Sequence, residues 1–324
     1  MTEDCMPFPS RAASRIRRAG LVLAACSALA LAARAGAAST EVSRAASADT
    51  SEAEAGRAAD PLAEGRRVVE RAARVAGGMD AYRALGGLRF RMITEDYRGG
   101  ALASAESSVV AYRRQGGGYR EESHGTVVGF DGRRGWSLRA GRYSATPQDS
   151  AIGSFLGSTI PFWLELPFRF LGPEYKLRYA GSVGFDSEMP AEMRLKLTSD
   201  HDHPAPPPSA GTRFYDMVFV SSSDSTRPSD EYFAFFDRRS GRFRGCNFTV
   251  IAAGMKTPRW CSWFDDYQVV GGLEIPRQQT WYRLATDNLP DMSADHSGIL
   301  RVYRKQGLEP SPVLPDSLFE FPGR

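Results

Sequence analysis

The residues carrying the most chemistry per position are Asp200-His201-Asp202-His203. Imidazole and carboxylate are ligands that zinc and nickel take, and neighbours on a loop can converge on one ion. A structural site needs about four fixed ligands. The run continues instead into Pro204, Pro206, Pro207 and Pro208, so a solvated loop and no metal are expected. His124 and His296 lie far away in the chain. Glu95-Asp96, Glu121-Glu122 and Asp265-Asp266 have the look of acid/base pairs. Consecutive side chains of a strand point to opposite faces, so no such pair shares a site. Gly153-Ser154-Phe155-Leu156-Gly157 places its serine one position too early for a nucleophile elbow. No phosphate-binding Gly-x-x-x-x-Gly-Lys loop, His-Glu-x-x-His helix or Gly-x-Gly-x-x-Gly turn occurs. The expectation is a protein that is not an enzyme, with no catalytic residue and no cofactor.

What the chain does concentrate is apolar aromatic surface. Pro161 to Leu171 contains Phe162, Trp163, Leu164, Phe168 and Phe170, bracketed and interrupted by Pro161 and Pro167. Proline excludes regular pairing inside a central strand, so this segment is expected to cross a sheet as an irregular cover. Tyr232-Phe233-Ala234-Phe235-Phe236 is apolar on both faces and needs covering on both sides. Such a surplus either packs as ordinary core or walls a ligand cavity, and both readings stay open. A cavity of this kind takes up an acyl chain at about 0.8 kcal/mol per buried methylene.

The elements that position these residues begin after an export signal. Arg15, Arg17 and Arg18 precede an apolar run, Leu21 to Ala33, and Ala35-Gly36-Ala37 offers small residues for cleavage after Ala37. The competing reading is Leu23-Ala24-Ala25-Cys26 as a lipobox, which would anchor the chain to the envelope through Cys26. The apolar run is shorter than the roughly 20 residues of a spanning helix, and no mature transmembrane helix is expected. Residues 38–59 are too poor in large apolar side chains to order and read as a disordered tether. One domain, 60–324, comes after it. Asp60-Pro61 is an N-cap and first-turn proline, opening a helix to about Ala76 with Leu62, Val68, Val69, Ala72 and Val75 near one face. A second short helix covers Met79 to Leu85. The period then becomes two: Leu88–Met92, Ser107–Arg113, Thr126–Phe130, Met193–Leu197, Phe214–Val220, Tyr232–Phe236, Arg242–Ile251, Arg259–Tyr267, Arg277–Leu284 and Ile299–Arg304 are strands. Short glycine turns between them indicate an antiparallel meander.

Charge narrows the function. Removing the five arginines of residues 1–37 from 41 Lys+Arg, and their two acids from 38 Asp+Glu, leaves 36 of each. A neutral body lacks the positive excess of a nucleic-acid binder. Only four residues are lysine: Lys176, Lys196, Lys256 and Lys305.

After cleavage Cys246 and Cys261 are the remaining cysteines, in an oxidising compartment. A hairpin turning at Ala253-Gly254 sets them opposite each other, with Phe243 opposite Phe264, so a disulfide is expected; two buried thiols is the alternative.

The order of these features resembles a known family. A helix ending in Gly-Gly precedes a strand. Asp131-Gly132 then stands shortly before Trp136, and Leu166-Pro167-Phe168-Arg169-Phe170-Leu171-Gly172-Pro173 and Asp230-Glu231-Tyr232 come after it. Phe236-Asp237-Arg238-Arg239-Ser240-Gly241 and Val270-Gly271-Gly272-Leu273-Glu274-Ile275-Pro276 complete the series. The chain is similar here to an uncharacterised family of secreted bacterial proteins related to the lipoprotein carriers LolA and LolB, over about residues 65–304. The resemblance implies a mainly β fold: a strongly curved antiparallel sheet, an incomplete barrel, with an N-terminal helix and short covering helices. It implies an exported, periplasmic binding protein for an apolar ligand such as an acyl chain, lipid or lipoprotein. A structural envelope module with a self-filled core is the alternative. No oligomeric state is implied.

Overall fold

A computed structural model describes residues 60–321, apart from 186–212 and short breaks at 225, 227–228, 252–254, 286–287, 293–294 and 312–313. The export signal, the tether, the Asp200–His203 cluster, the prolines after it, the strand expected at Met193–Leu197 and the Ala253-Gly254 turn lie outside the described residues. The chain divides into two units. One joins Ala59–Thr249 to Thr257–Arg324 and holds the helices with nearly all of the sheet; the other joins residues 1–58 to Val250–Lys256.

Helix α1 (Pro61–Val75) starts as its sequence dictates. The Asp60 carboxylate accepts from Leu62 N at 3.0 Å, and Pro61 fills the first turn, where a missing N–H costs nothing. Its buried stripe is Gly65, Val68, Val69, Ala72 and Ala73. Leu62, expected on that stripe, is 54 % exposed. Helix α2 (Gly78–Ala84) begins after Gly77, whose φ of 112° suits glycine alone.

Thirteen strands then form one antiparallel sheet: β1 (Gly87–Arg98), β2 (Ala101–Arg113), β3 (Gly118–Ser123), β4 (Thr126–Asp131), β5 (Gly135–Arg139), β6 (Arg142–Ser144), β7 (Tyr175–Phe185), β8 (Arg213–Ser222), β9 (Tyr232–Asp237), β10 (Phe243–Val250), β11 (Met255–Val270), β12 (Leu273–Arg283) and β13 (Ile299–Pro310). Their spatial order is β6-β5-β4-β3-β2-β1-β13-β12-β11-β10-β9-β8-β7. Two meanders therefore join along the β1–β13 pair, where Met92 faces Lys305 and Thr94 faces Tyr303. Among the described residues strands β6 and β7 are the edges, and the sheet does not close into a barrel.

This order imposes a crossing. After β6 the chain must travel to the opposite edge before β7 can begin, and residues 145–174 make that journey. Most of it is helix α3 (Pro147–Leu164), succeeded by a 3-10 turn at Phe168–Leu171. The irregular cover expected between Pro161 and Pro167 is thus helical in its first part. Thr146 caps α3, accepting from Asp149 N at 3.2 Å, and Pro147 takes the first turn. Asp149 accepts from Ser137, Ser144 and Thr146 hydroxyls at 2.6–2.9 Å, tying the helix start to β5 and β6. Burial pushes its carboxyl up, but those hydroxyls outweigh it and hold it below the usual range.

The sheet is curled around α3. A Cβ built on Gly157 would stand 2.5 Å from Phe130 Cβ on β4, and Trp163 places its ring 5.1 Å from that of Phe248 on β10. Seven strand spacings separate β4 from β10, about 34 Å in a flat sheet. Gly157 and Trp163 are about 9 Å apart along the helix. Only strong curvature brings both strands within reach of one helix.

Candidate functional site

The concave face under the crossover gathers the five aromatic-segment residues, but in two groups. Phe162, Trp163 and Phe170 lie over β9–β11. Phe162 meets Tyr232 at 5.3 Å between ring centroids, Trp163 meets Phe248 and Phe264 at 5.1 and 6.1 Å, and Phe170 meets Tyr232 and Phe243 at 5.4 and 6.0 Å. Leu164 and Phe168 belong instead to the principal core with Phe90, Met92, Ile160, Ile275 and Tyr303. Offset and edge-on ring contacts of this kind each add about 0.5–1.5 kcal/mol to plain burial.

The hollow is closed and filled. The cavity bounded by Ala72 and Val75 of α1, Trp163, Pro167, Phe243, Phe264 and Pro276 has about 10 Å³, room for about one water molecule. Of the two readings the sequence leaves open, a ligand cavity or ordinary core, the space here is occupied by the protein's own rings.

One polar latch holds the crossover to α2. Tyr82 Oη donates to Glu165 Oε2 at 2.7 Å, the Tyr82 ring stacks on Phe168 at 4.7 Å, and Arg169 lies 3.5 Å from the same carboxylate. Burial lifts the Glu165 carboxyl above its ordinary range, opposed by the Tyr82 hydrogen bond and Arg169. Among the described residues Trp163 Nε1 and Trp281 Nε1 are buried and donate to nothing. Lys305, 4 % exposed, donates among the described residues to Pro276 O alone, at 3.0 Å. Burial pushes its amine down to about 7. These three residues carry no sequence motif. The scarcity of lysine is the one signal that marks Lys305.

The cysteines depart from the expected bridge. Both are buried thiols, and the disulfide is not formed. Phe243 does lie beside Phe264, 5.4 Å between centroids, but β10 carries a bulge against β9 between Phe243 and Gly245. Beyond it, a Cβ on Gly245 would stand 2.5 Å from Ser262 O and 3.1 Å from Trp263 Cα. Cys246 faces Ala234, two residues from Phe248 and so on the covered side. Cys261 packs with Tyr215, Phe235 and Trp263. A one-residue shift turns side chains to the other face, which sets Cys246 on the face opposite to that of Gly245.

The acidic neighbours divide as alternation requires. Asp265 pairs with Arg244 and Asp266 with Arg277; Glu95 pairs with Arg304 and Asp96 with Arg301. His124 is exposed in the β3–β4 turn, with Ser123 Oγ 2.9 Å from its Nδ1. Among the described residues no group of three His, Cys, Asp or Glu is placed to hold a metal, and no helix is long and apolar enough to cross a membrane.

Sheet and crossover together define a class: an open, strongly curved antiparallel sheet whose two edges are bridged by a helix lying across its concave face. No family model and no curated protein matches the chain. Among solved structures it is similar to a LolA superfamily protein from Nitrosomonas europaea, at 9 % identity and TM-score 0.45, covering 79 % of this chain and 97 % of that one. It is likewise similar to a DUF1329 family protein from Desulfovibrio piger, at 12 % identity and TM-score 0.45, covering 81 % and 98 %.

Proposed function

We propose that the protein is an exported envelope binding protein, periplasmic in location, that holds an acyl chain or similar elongated apolar ligand between the concave face and its crossover. The observation that carries this reading is the character of the crossover. The end of the crossover packs Phe162, Trp163, Phe168 and Phe170 against the sheet, yet no strand ladder holds residues 147–171 there. Rings, the hydrogen bonds of Asp149 to β5 and β6, and the Tyr82–Glu165 latch do. Packing without a ladder can be exchanged for packing against a ligand, because both bury the same apolar area. Filled with its own rings, the hollow keeps that surface from water when no ligand is present. Binding requires α3 and the 3-10 turn to swing away from β9–β11, carrying Phe162, Trp163 and Phe170 with them.

Displacement of a naphthalene-sulfonate dye by dodecan-1-ol, monitored together with tryptophan emission, tests the reading. Five tryptophans emit, so Trp163→Phe assigns the change. Displacement at micromolar concentration, with an emission shift absent from Trp163→Phe, is expected. If neither dodecan-1-ol nor dodecanoate displaces the dye and Trp163→Ala only destabilises, the segment is core and the protein is a structural module.

A further inference from the structure

We propose that the ligand ends in a carboxylate and that Lys305 receives it on the floor of the hollow; this rests on the binding reading above and specifies its ligand. Lys305 stands on β13 opposite Met92, a member of the principal core. Its ammonium has three donors and uses one, on Pro276 O. Among the described residues no carboxylate lies within ion-pair distance of it. Pro276, whose carbonyl accepts from the amine, itself lines the small cavity with Trp163, Pro167 and Phe264.

A buried cation without a counter-charge is costly, and lost partners of charged groups cost more than lost neutral hydrogen bonds. A structural lysine would be expected to have a carboxylate beside it, as the arginines of this sheet do: Arg301 with Asp96, Arg304 with Glu95, Arg244 with Asp265. Among these strand cations Lys305 faces inward without one.

The rest of the interior is deficient in the same respect. Trp163 Nε1 and Trp281 Nε1 are buried donors without acceptors, and indole offers a donor only. The Trp281 ring lies 6.1 Å from that of Tyr303, which shares a face of β13 with Lys305. The interior therefore has unmet donors beside apolar walls, and Glu274, a carboxylate that lines the small cavity, is already paired with Arg242. A carboxylate supplies about four acceptor sites and one negative charge, and its alkyl chain matches the walls. An alcohol supplies neither the charge nor the full set of acceptors. A fatty acid entering head first satisfies the amine and leaves its chain beneath the rings of the cover.

Dissociation constants for dodecanoate and dodecan-1-ol, measured by dye displacement on the protein and on Lys305→Met, test this. Dodecanoate is expected to bind about tenfold or more tightly than the alcohol, a charge-assisted difference. In Lys305→Met that preference should fall within about twofold while alcohol binding is kept. Lys305→Gln gives the same comparison should the Met variant not fold. Equal binding of both ligands to the unaltered protein overturns the proposal and leaves the binding function standing, as does a preference that survives in the variants. Binding of neither overturns both.

Discussion

At the scale of single residues, Lys305 carries an electrostatic cost that its neighbours do not offset. Its amine falls from an ordinary 10.5 to about 7 because burial disfavours the charged form. The unfolded chain therefore binds more protons than the folded one between those values, and stability must rise with pH across that window. The penalty is complete below about pH 7 and fades toward 10.5. Lys305→Met removes it. Thermal unfolding should show the variant more stable at pH 7, by about 1–4 kcal/mol as for other buried charges replaced by apolar side chains. The gap should narrow steadily as the pH rises toward the ordinary lysine range. A gap that does not change with pH would mean the amine is hydrated in solution. Gly157 makes a different contribution: its missing side chain lets α3 rest directly on Phe130.

At the scale of elements, the sheet is held by ladders, whereas the crossover is held at its start by Asp149 and at its end by a hydroxyl and a stack. Tyr82→Phe keeps the ring on Phe168 but withdraws the hydrogen bond from Glu165, a carboxylate only 6 % exposed. Leaving a buried acceptor short of a partner costs about 1–3 kcal/mol, so a lower unfolding midpoint is expected. The same change loosens the cover, and dodecan-1-ol should bind more tightly. Loss of stability with gain of affinity separates a cover from core. Core would lose stability and gain nothing.

At the scale of the whole molecule, the strand order makes the crossover both necessary and separable. Each interior strand is hydrogen-bonded on two sides, whereas residues 147–171 join the β6 and β7 edges without adding to the sheet. Opening free energies vary across a protein and track such differences. Native-state hydrogen exchange should find amides of α3 opening well below the free energy that governs β10–β12. Exchange of both at one common free energy would mean that the cover leaves only when the sheet unfolds, and no ligand could enter.

The sequence alone determined the elements whose rules are local. Asp60-Pro61 announces α1 through a cap and a first-turn proline, and alternation marks much of β1, β2, β4 and β8–β13 because one face of each meets the core. The double-sided apolar run at Tyr232–Phe236 correctly demands covering on both sides. Helix α3 is obscured because Pro161 lies inside it and its burial on several sides erases the one-faced pattern by which amphipathic helices are recognised. Its Thr146-Pro147 start is legible on the same grounds as Asp60-Pro61. The short β3, β5 and β6, and the edge strand β7, carry too little alternation to stand out. Tertiary structure alone decided the face of Cys246, since the bulge in β10 turns it relative to Phe243 and no local rule announces it. It alone also buried Lys305. A lysine on a strand is ordinarily a solvated one, and its burial follows from curvature summed over thirteen strands, a property that belongs to the sheet and to none of its segments.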